Sequence, residues 1–209
     1  ASLYGFQQME LQDTLYPGED AKTDTFVSIP STFCSIWKLG TNEAFAFSAF
    51  IPHNNQIAQS QVYVFDQHFY NFSLDDQVVW LGPSYGVALS DKLYAGISAF
   101  LVYRTYYRSE NFYWGNYSYA FSSAFQYDAL GALSVLGLQY RPAPRWNMGV
   151  TLQTPSLSIS GAGDFHSYQV VGLEQVQIAS SAYASSMDAR YEVPAKITLG
   201  IGWEEPKVK

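Results

Sequence analysis

The sequence predicts an all-β chain, an antiparallel meander of the transmembrane barrel type with about eight strands visible. Three observations predict it. Apolar and polar side chains alternate with period two over most of the chain, as in strands whose two faces meet different surroundings. The less apolar face carries Gly, Ser, Thr, Asn and Gln where a soluble sheet carries Lys, Glu and Asp; residues 77–90 and 146–157 hold no charge at all. Aromatic side chains stand beside the short turns, where a ring can sit among lipid headgroups.

Taken in chain order, strands are expected at 2–11, 25–37 and 44–51, then at 78–90, 93–108, 129–140, 146–154 and 193–203. The alternation is cleanest in the later ones. From Leu93 to Tyr103 the odd positions Ala95, Ile97, Ala99 and Leu101 are apolar, and Trp146, Met148, Val150 and Leu152 alternate with Asn147, Gly149, Thr151 and Gln153. Val193, Ala195, Ile197, Leu199, Ile201 and Trp203 repeat the pattern. Short turns are expected at 39–42, 90–92 and 141–145, with another at Glu204-Glu205-Pro206. Longer polar and aromatic connections are expected near 13–24, 53–77, 109–126 and 158–191, with a short helix conceivable at 172–187. Short turns on one side and long loops on the other match an outer-membrane barrel. Trp37, Tyr140, Trp146 and Trp203 would form the aromatic belt at the short-turn interface. Tyr103, Tyr107 and Tyr191 would sit near the other.

Composition narrows the function classes. Charged residues are 14% of 209 and aromatics 17%, whereas a soluble domain averages about 25% charged residues and a disordered chain is poor in aromatics. A net charge of −7 leaves no basic excess to neutralise phosphates, so no nucleic-acid partner is expected. Cys34 is the only cysteine, which excludes an internal disulfide framework. No apolar run is long enough for a membrane helix. A soluble β-sandwich that binds carbohydrate through its aromatics is the rival architecture. Residues 1–209 read as a single barrel domain or barrel portion. The inward positions are too rich in Gly and Ser to fill an eight-stranded barrel, so a wider barrel is expected, with strands missing beyond Pro206-Lys207-Val208-Lys209.

Three segments carry a family resemblance. Leu81-Gly82-Pro83-Ser84-Tyr85-Gly86 descends to Ser90-Asp91-Lys92 and rises again through Leu93-Tyr94-Ala95-Gly96 to Phe100. Leu136-Gly137-Leu138-Gln139-Tyr140-Arg141-Pro142 leads into Trp146-Asn147-Met148-Gly149-Val150. Val193-Pro194-Ala195-Lys196-Ile197-Thr198-Leu199-Gly200 follows. Across about residues 78–203 the order and spacing resemble the FadL family of bacterial outer-membrane transporters for long-chain fatty acids and other hydrophobic compounds. The resemblance implies a fourteen-stranded barrel with an N-terminal plug, and passive uptake with lateral release through the wall. It implies membrane lipid and a hydrophobic ligand (fatty acid or detergent) as partners. No plug-like segment with an Asn-Pro-Ala motif precedes Ala1, and nothing corresponds to the later strands. The chain therefore reads as an interior portion that other strands or partner chains complete.

Candidate ligand-binding residues follow. Arg104 and Arg108 share the inward parity of their strand, and a guanidinium there needs an anion. The resemblance makes Arg104, in Tyr103-Arg104-Thr105-Tyr106, the match for a carboxylate-binding arginine. Its other reading is an ion pair with a wall or plug acid. Arg108 is expected to be solvated, and Lys196 to form a wall salt bridge. Phe112, Tyr113 and Trp114 lie in an aromatic loop at 111–119 that suits hydrophobic capture or mutual packing; Val170, Val171, Leu173, Val176 and Ile178 would form the opposite wall. His53, His68 and His166 lack ligand spacing, so no metal or cofactor is expected, and no enzymatic activity.

Overall fold

In a computed structural model of the chain, the described residues are 3–11, 21–29, 32–63, 67–115, 118–173 and 176–203. The expected turn at 204–206 lies outside them. Every element is a strand: β1 (Leu3–Leu11), β2 (Ala21–Ile29), β3 (Phe33–Lys38), β4 (Glu43–Tyr63), β5 (His68–Ala88), β6 (Leu93–Trp114), β7 (Tyr119–Ala143), β8 (Trp146–Gln153), β9 (Leu157–Leu173), β10 (Val176–Asp188) and β11 (Lys196–Trp203). β1 and β2 pair as a separate two-stranded antiparallel sheet. The other nine form one antiparallel sheet in the order β10-β9-β7-β6-β5-β4-β3, with β8 pairing both β7 and β11. Among the described residues no ladder joins β3 to β10 or β11.

Four of these strands are halves of two longer paths. β8 pairs the Val135–Ala143 end of β7 and β9 pairs its Tyr119–Ala132 end, with a break at residues 154–156. Descending beside them, β10 pairs β9 and β11 pairs β8, with a break at residues 189–195. The two breaks lie next to each other.

The long connections expected at 53–77, 109–126 and 158–191 are mostly strand, and the described residues of the helix expected at 172–187 belong to β9 and β10. β4 to β7 run for 21 to 25 residues, about 70–85 Å at ~3.4 Å per residue. Period two is hard to see there because aromatics occupy both faces. Tyr106 and Phe112 lie on one side of β6, and Tyr107 and Tyr113 on the other.

The inner face bears the buried residues Val78, Phe100, Val102 and Leu133, packed with Phe50, Trp80, Val135, Tyr191 and Val193. Phe50, Trp80 and Phe100 pack as a triad with ring centroids 5.3 to 5.8 Å apart. Such pairs add about 0.5–1.5 kcal/mol each beyond the area they bury. The outer face between the short turns and this cluster is apolar and open: Ile97, Leu101, Leu136, Leu138, Leu199 and Ile201 are all exposed, the last two at 77% and 72%. On β6 this apolar run ends at Tyr103, and on β7 it goes from Tyr140 up to Leu130. Both lengths are close to the ~9–11 residues with which a tilted strand crosses hydrocarbon. Beyond them the outer face turns polar, with Asp75, Gln126 and Asp128 exposed.

Prolines mark where the ladder yields. A proline has no N–H to donate, so a strand that contains one pairs imperfectly there. Pro52 sits in the β4 bulge between Phe50 and His53, which exchanges the faces of β4 above and below it. Pro83 lies where β5–β6 pairing lapses, between Leu81↔Leu101 and Ser84↔Ser98. Beside it, a Cβ on Gly82 would collide with the Ala99 carbonyl oxygen, an approach that only glycine permits. Pro155 and Pro194 lie in the breaks at 154–156 and 189–195.

Candidate functional site

Three chemistries succeed one another along the inner face. Nearest the short turns the floor is almost bare of side chains. Gly86 pairs Gly96, Gly96 pairs Gly137, Gly137 pairs Thr151 and Thr151 pairs Thr198. With Gly149 and Gly200, residues of this floor line a groove of about 660 Å³. The apolar cluster of Val78, Phe100, Val102 and Leu133 follows. Next comes an ionic centre held among aromatic rings.

Arg104 is the hub of that centre. Its Nε donates to Asp76 Oδ1 at 2.8 Å and its Nη2 to Asp76 Oδ2 at 2.7 Å, a bidentate pair. His53 Nε2 lies 3.3 Å from Asp76 Oδ2. The guanidinium carbon is 4.6 Å from the Tyr191 ring centroid, 5.4 Å from Tyr127 and 5.5 Å from Tyr106, each within cation–π range. Tyr106 and Tyr127 themselves stack at 5.2 Å. Strand parity builds this arrangement. Arg104 follows Phe100 and Val102 on the inner side of β6, and Asp76 precedes Val78 and Trp80 on the inner side of β5. Burying either charge alone would cost several kcal/mol. Together they are neutral.

Arg108 behaves in the same way with more water around it. It contacts Glu110 at 3.2 Å with about half its side chain exposed, and its guanidinium lies over the Phe72 ring at 5.6 Å. Lys196 is exposed and, among the described residues, makes no ion pair in place of the expected salt bridge. Phe112, Tyr113 and Trp114 belong to β6 and not to a loop. The ring of Phe112 meets Trp114 at 6.3 Å and Tyr119 at 5.8 Å, whereas Tyr113 is exposed on the outer face. Val170, Val171 and Ile178 lie at the β9–β10 hairpin end; the side chains of Leu173 and Val176 lie outside the described residues. Trp37, Tyr140, Trp146 and Trp203 are all exposed. Trp37 packs on Phe45 at 5.7 Å, and Trp146 pairs Trp203 in register. Tyr191, expected near the far interface, instead turns inward onto Arg104, because residues 189–195 leave the sheet and fold over the apolar cluster. Cys34 is exposed on β3.

The wall beside this centre is clasped mainly through Ser156. Ser156 N–H donates to the Val193 carbonyl at 2.9 Å, and Val193 N–H donates to Ser156 Oγ at 2.7 Å. Ser156 Oγ donates to the Tyr191 carbonyl at 3.4 Å, and Gln153 Nε2 to the Pro194 carbonyl at 3.2 Å. Outside the clasp, Leu81, Leu101, Ala132, Thr154 and Leu157 border a second groove of about 350 Å³. Phe100 and Leu133 belong to both this groove and the inner cluster.

Sequence reasoning missed Asp76, His53, Tyr191 and Ser156. A signal existed for the first: Asp76 shares the parity of Val78 and Trp80, so it is the inward member of Asp75-Asp76. Nothing local marks Ser156, whose partners lie more than thirty residues away along the chain. Comparison of the chain with family models, curated proteins and solved structures finds no match.

Proposed function

We propose that this chain is a wall portion of a bacterial outer-membrane barrel through which hydrophobic small molecules pass passively, as its resemblance to the FadL family implies. One observation carries the reading: an apolar cluster on the inner face adjoins a place where two neighbouring strands are broken side by side. A hydrophobic molecule enters over the inward aromatics Phe112 and Trp114, rests on Phe100, Val102 and Leu133, and leaves sideways past Ser156 and Val193. The open apolar outer face supports a lipid surrounding, because in water a patch of that extent drives aggregation. In this reading the full barrel has fourteen strands, and the remaining ones complete the wall beyond β3 and β11. The ligand class is hydrophobic small molecules, for which the resemblance implies long-chain fatty acids as one example.

The test is uptake of a hydrophobic tracer by bacteria whose outer membrane limits its entry, with and without the chain. In a Cys34→Ser background, Ser156→Cys with Val193→Cys would crosslink the clasp on oxidation. Uptake that falls on oxidation and returns on reduction supports lateral exit. Uptake unaffected by the chain in either state sinks the transport reading. A second reading, surface recognition, draws on Phe69, Tyr113 and Tyr168, which are exposed on the outer face far from the short turns. It predicts binding to a partner surface with no tracer uptake.

A further inference from the structure

We infer that the inner face selects uncharged amphiphiles over carboxylates, and that Asp76 sets the selection. The ligand class is an apolar body bearing a neutral hydrogen-bonding group, such as an alcohol, ester or amide. This rests on the reading of the inner face as a path for hydrophobic molecules, and it narrows what that path takes.

The charge count comes first. The Nε and Nη2 edge of Arg104 already donates to Asp76 at 2.8 and 2.7 Å, which leaves an entering carboxylate only the Nη1 side of a guanidinium whose charge Asp76 balances. The inner arginine above it, Arg108, is paired with Glu110. At the centre itself, two cations and two anions leave no surplus positive charge to replace the water that an entering carboxylate gives up; Lys196, on the inner parity of β11, lies on the short-turn side of it and is exposed. The rings of Tyr106, Tyr127 and Tyr191 flank the guanidinium, so a second anion finds aromatic surface where it would need donors.

The unused hydrogen-bonding capacity points the same way. Trp80 Nε1, Asn55 Oδ1 and both amide atoms of Gln59 are buried without a hydrogen-bond partner. All lie on the inner parity of β4 and β5, and Gln59 is only 6% exposed. Each is a neutral group. Trp80 Nε1 is a lone donor on the rim of the apolar cluster, suited to a hydroxyl or carbonyl oxygen. The Gln59 amide offers a donor and an acceptor higher up. The charged groups of the centre are paired while these three neutral side chains are left wanting, which is the recognition chemistry of an uncharged ligand.

The experiment measures equilibrium binding of radiolabelled 1-dodecanol and dodecanoate to the full chain in lipid vesicles, at about pH 9 where the acid is ionised. Partition into protein-free vesicles of the same lipid is subtracted. The unmodified chain should bind the alcohol at least about tenfold more tightly than the acid. Asp76→Asn frees the fork of Arg104, and dodecanoate binding should rise by about tenfold or more while dodecanol changes by less than about twofold. Because that variant leaves a guanidinium unpaired, Arg104→Met with Asp76→Leu removes both charges together and should keep the alcohol preference. Equal binding of acid and alcohol by the unmodified chain would overturn the selection, as would Asp76→Asn that folds and gains no acid binding. Loss of the alcohol preference in the double variant would also overturn it. Selective alcohol binding without tracer uptake would remove transport and keep the selection. Binding of neither probe by any variant would reject both.

Discussion

The two halves of β7 face their surroundings in opposite ways. From Tyr140 to Leu130 its outward residues include Leu138 and Leu136, both exposed, while Gly137 and Gln139 look inward onto the glycine-floored groove. Ten residues further up, Gln126 and Asp128 look outward and Phe125 and Tyr127 pack inward against Tyr106. Backbone pairing does not register the change, since β6 and β7 stay in one unbroken register from Leu93↔Tyr140 to Trp114↔Tyr119. A ladder satisfies its own N–H and C=O groups in any solvent. Only side chains distinguish the two halves. On the proposed placement, the short-turn half meets lipid and the long half meets water.

The largest test of that contrast uses one strand and one substitution. Leu136→Arg places a charge at the middle of the apolar run and should cost about 2–4 kcal/mol of folding stability in a bilayer. Gln126→Arg, on the same face of the same strand, should cost about 0–1 kcal/mol, with Asp164 Oδ2 already 3.5 Å from the Gln126 amide to receive the charge. Reversible folding into lipid vesicles, titrated with denaturant, measures both. Equal costs would mean that both halves meet the same solvent.

A second contrast sets a glycine at a ladder fault against a glycine on the open floor. Gly82→Ala drives its methyl into the Ala99 carbonyl, which the β5 and β6 backbones can relieve only by moving apart, at about 1–3 kcal/mol. Gly200→Ala meets nothing within 4 Å and should stay within about 0.5 kcal/mol. The same titration reads both. A tolerated Gly82→Ala would show that the β5–β6 fault is slack.

The short-turn half was legible in the sequence and the long half was not, for one physical reason. Where one face is apolar almost throughout, period two is visible along the strand, so the facings of Trp146, Trp203 and Tyr140 follow from counting by twos. Higher up, both faces accept aromatics and polar groups. Tyr106 and Tyr107 are neighbours with opposite facings, and the alternation that marks a strand is lost. That is why β9 and β10 read as loop, and why Phe112, Tyr113 and Trp114 read as one patch although β6 divides them. Arg104 was legible as an inward cation in need of an anion. Its partner was not assigned, because Asp75-Asp76 reads as a solvated loop pair unless β5 is known to extend past residue 78. Tyr191 escaped for another reason. Counting by twos assumes an unbroken strand, and the break beside Pro194 turns the ring inward.

The clasp at the paired breaks gives a smaller and more local effect. Ser156→Ala removes the acceptor of the Val193 N–H bond at 2.7 Å, a loss of about 0.5–1.5 kcal/mol. Its signature is location: hydrogen exchange at Val193 should quicken while the ladders of β6 and β7 stay protected. Ser84→Ala, which breaks the 2.7 Å hydroxyl contact with Ser98 beside the β5–β6 lapse, should leave backbone exchange near Ser98 unchanged, because the unbroken β6–β7 ladder holds that strand. If Ser156→Ala left Val193 protected, the segment at 189–195 would be held by packing of Tyr191 and Val193 alone, and the clasp would be incidental.

The last contrast separates two adjacent residues that the sequence presents as equivalent. Phe112 packs its ring against Trp114 and Tyr119 on the inner face, whereas Tyr113 stands 51% exposed on the outer one. Phe112→Ser loses two ring contacts at about 0.5–1.5 kcal/mol each beyond burial, and it removes part of the proposed entry surface. Tyr113→Ser touches no such cluster and should change stability by less than about 0.5 kcal/mol. Tracer uptake should therefore fall with Phe112→Ser and be unchanged with Tyr113→Ser, whereas surface recognition predicts the reverse order for partner binding. Stability measured alongside uptake keeps the comparison clean. A fall in uptake beyond the fraction of chain that unfolds assigns Phe112 to the path itself, and a fall equal to that fraction makes it a packing residue of the hairpin end.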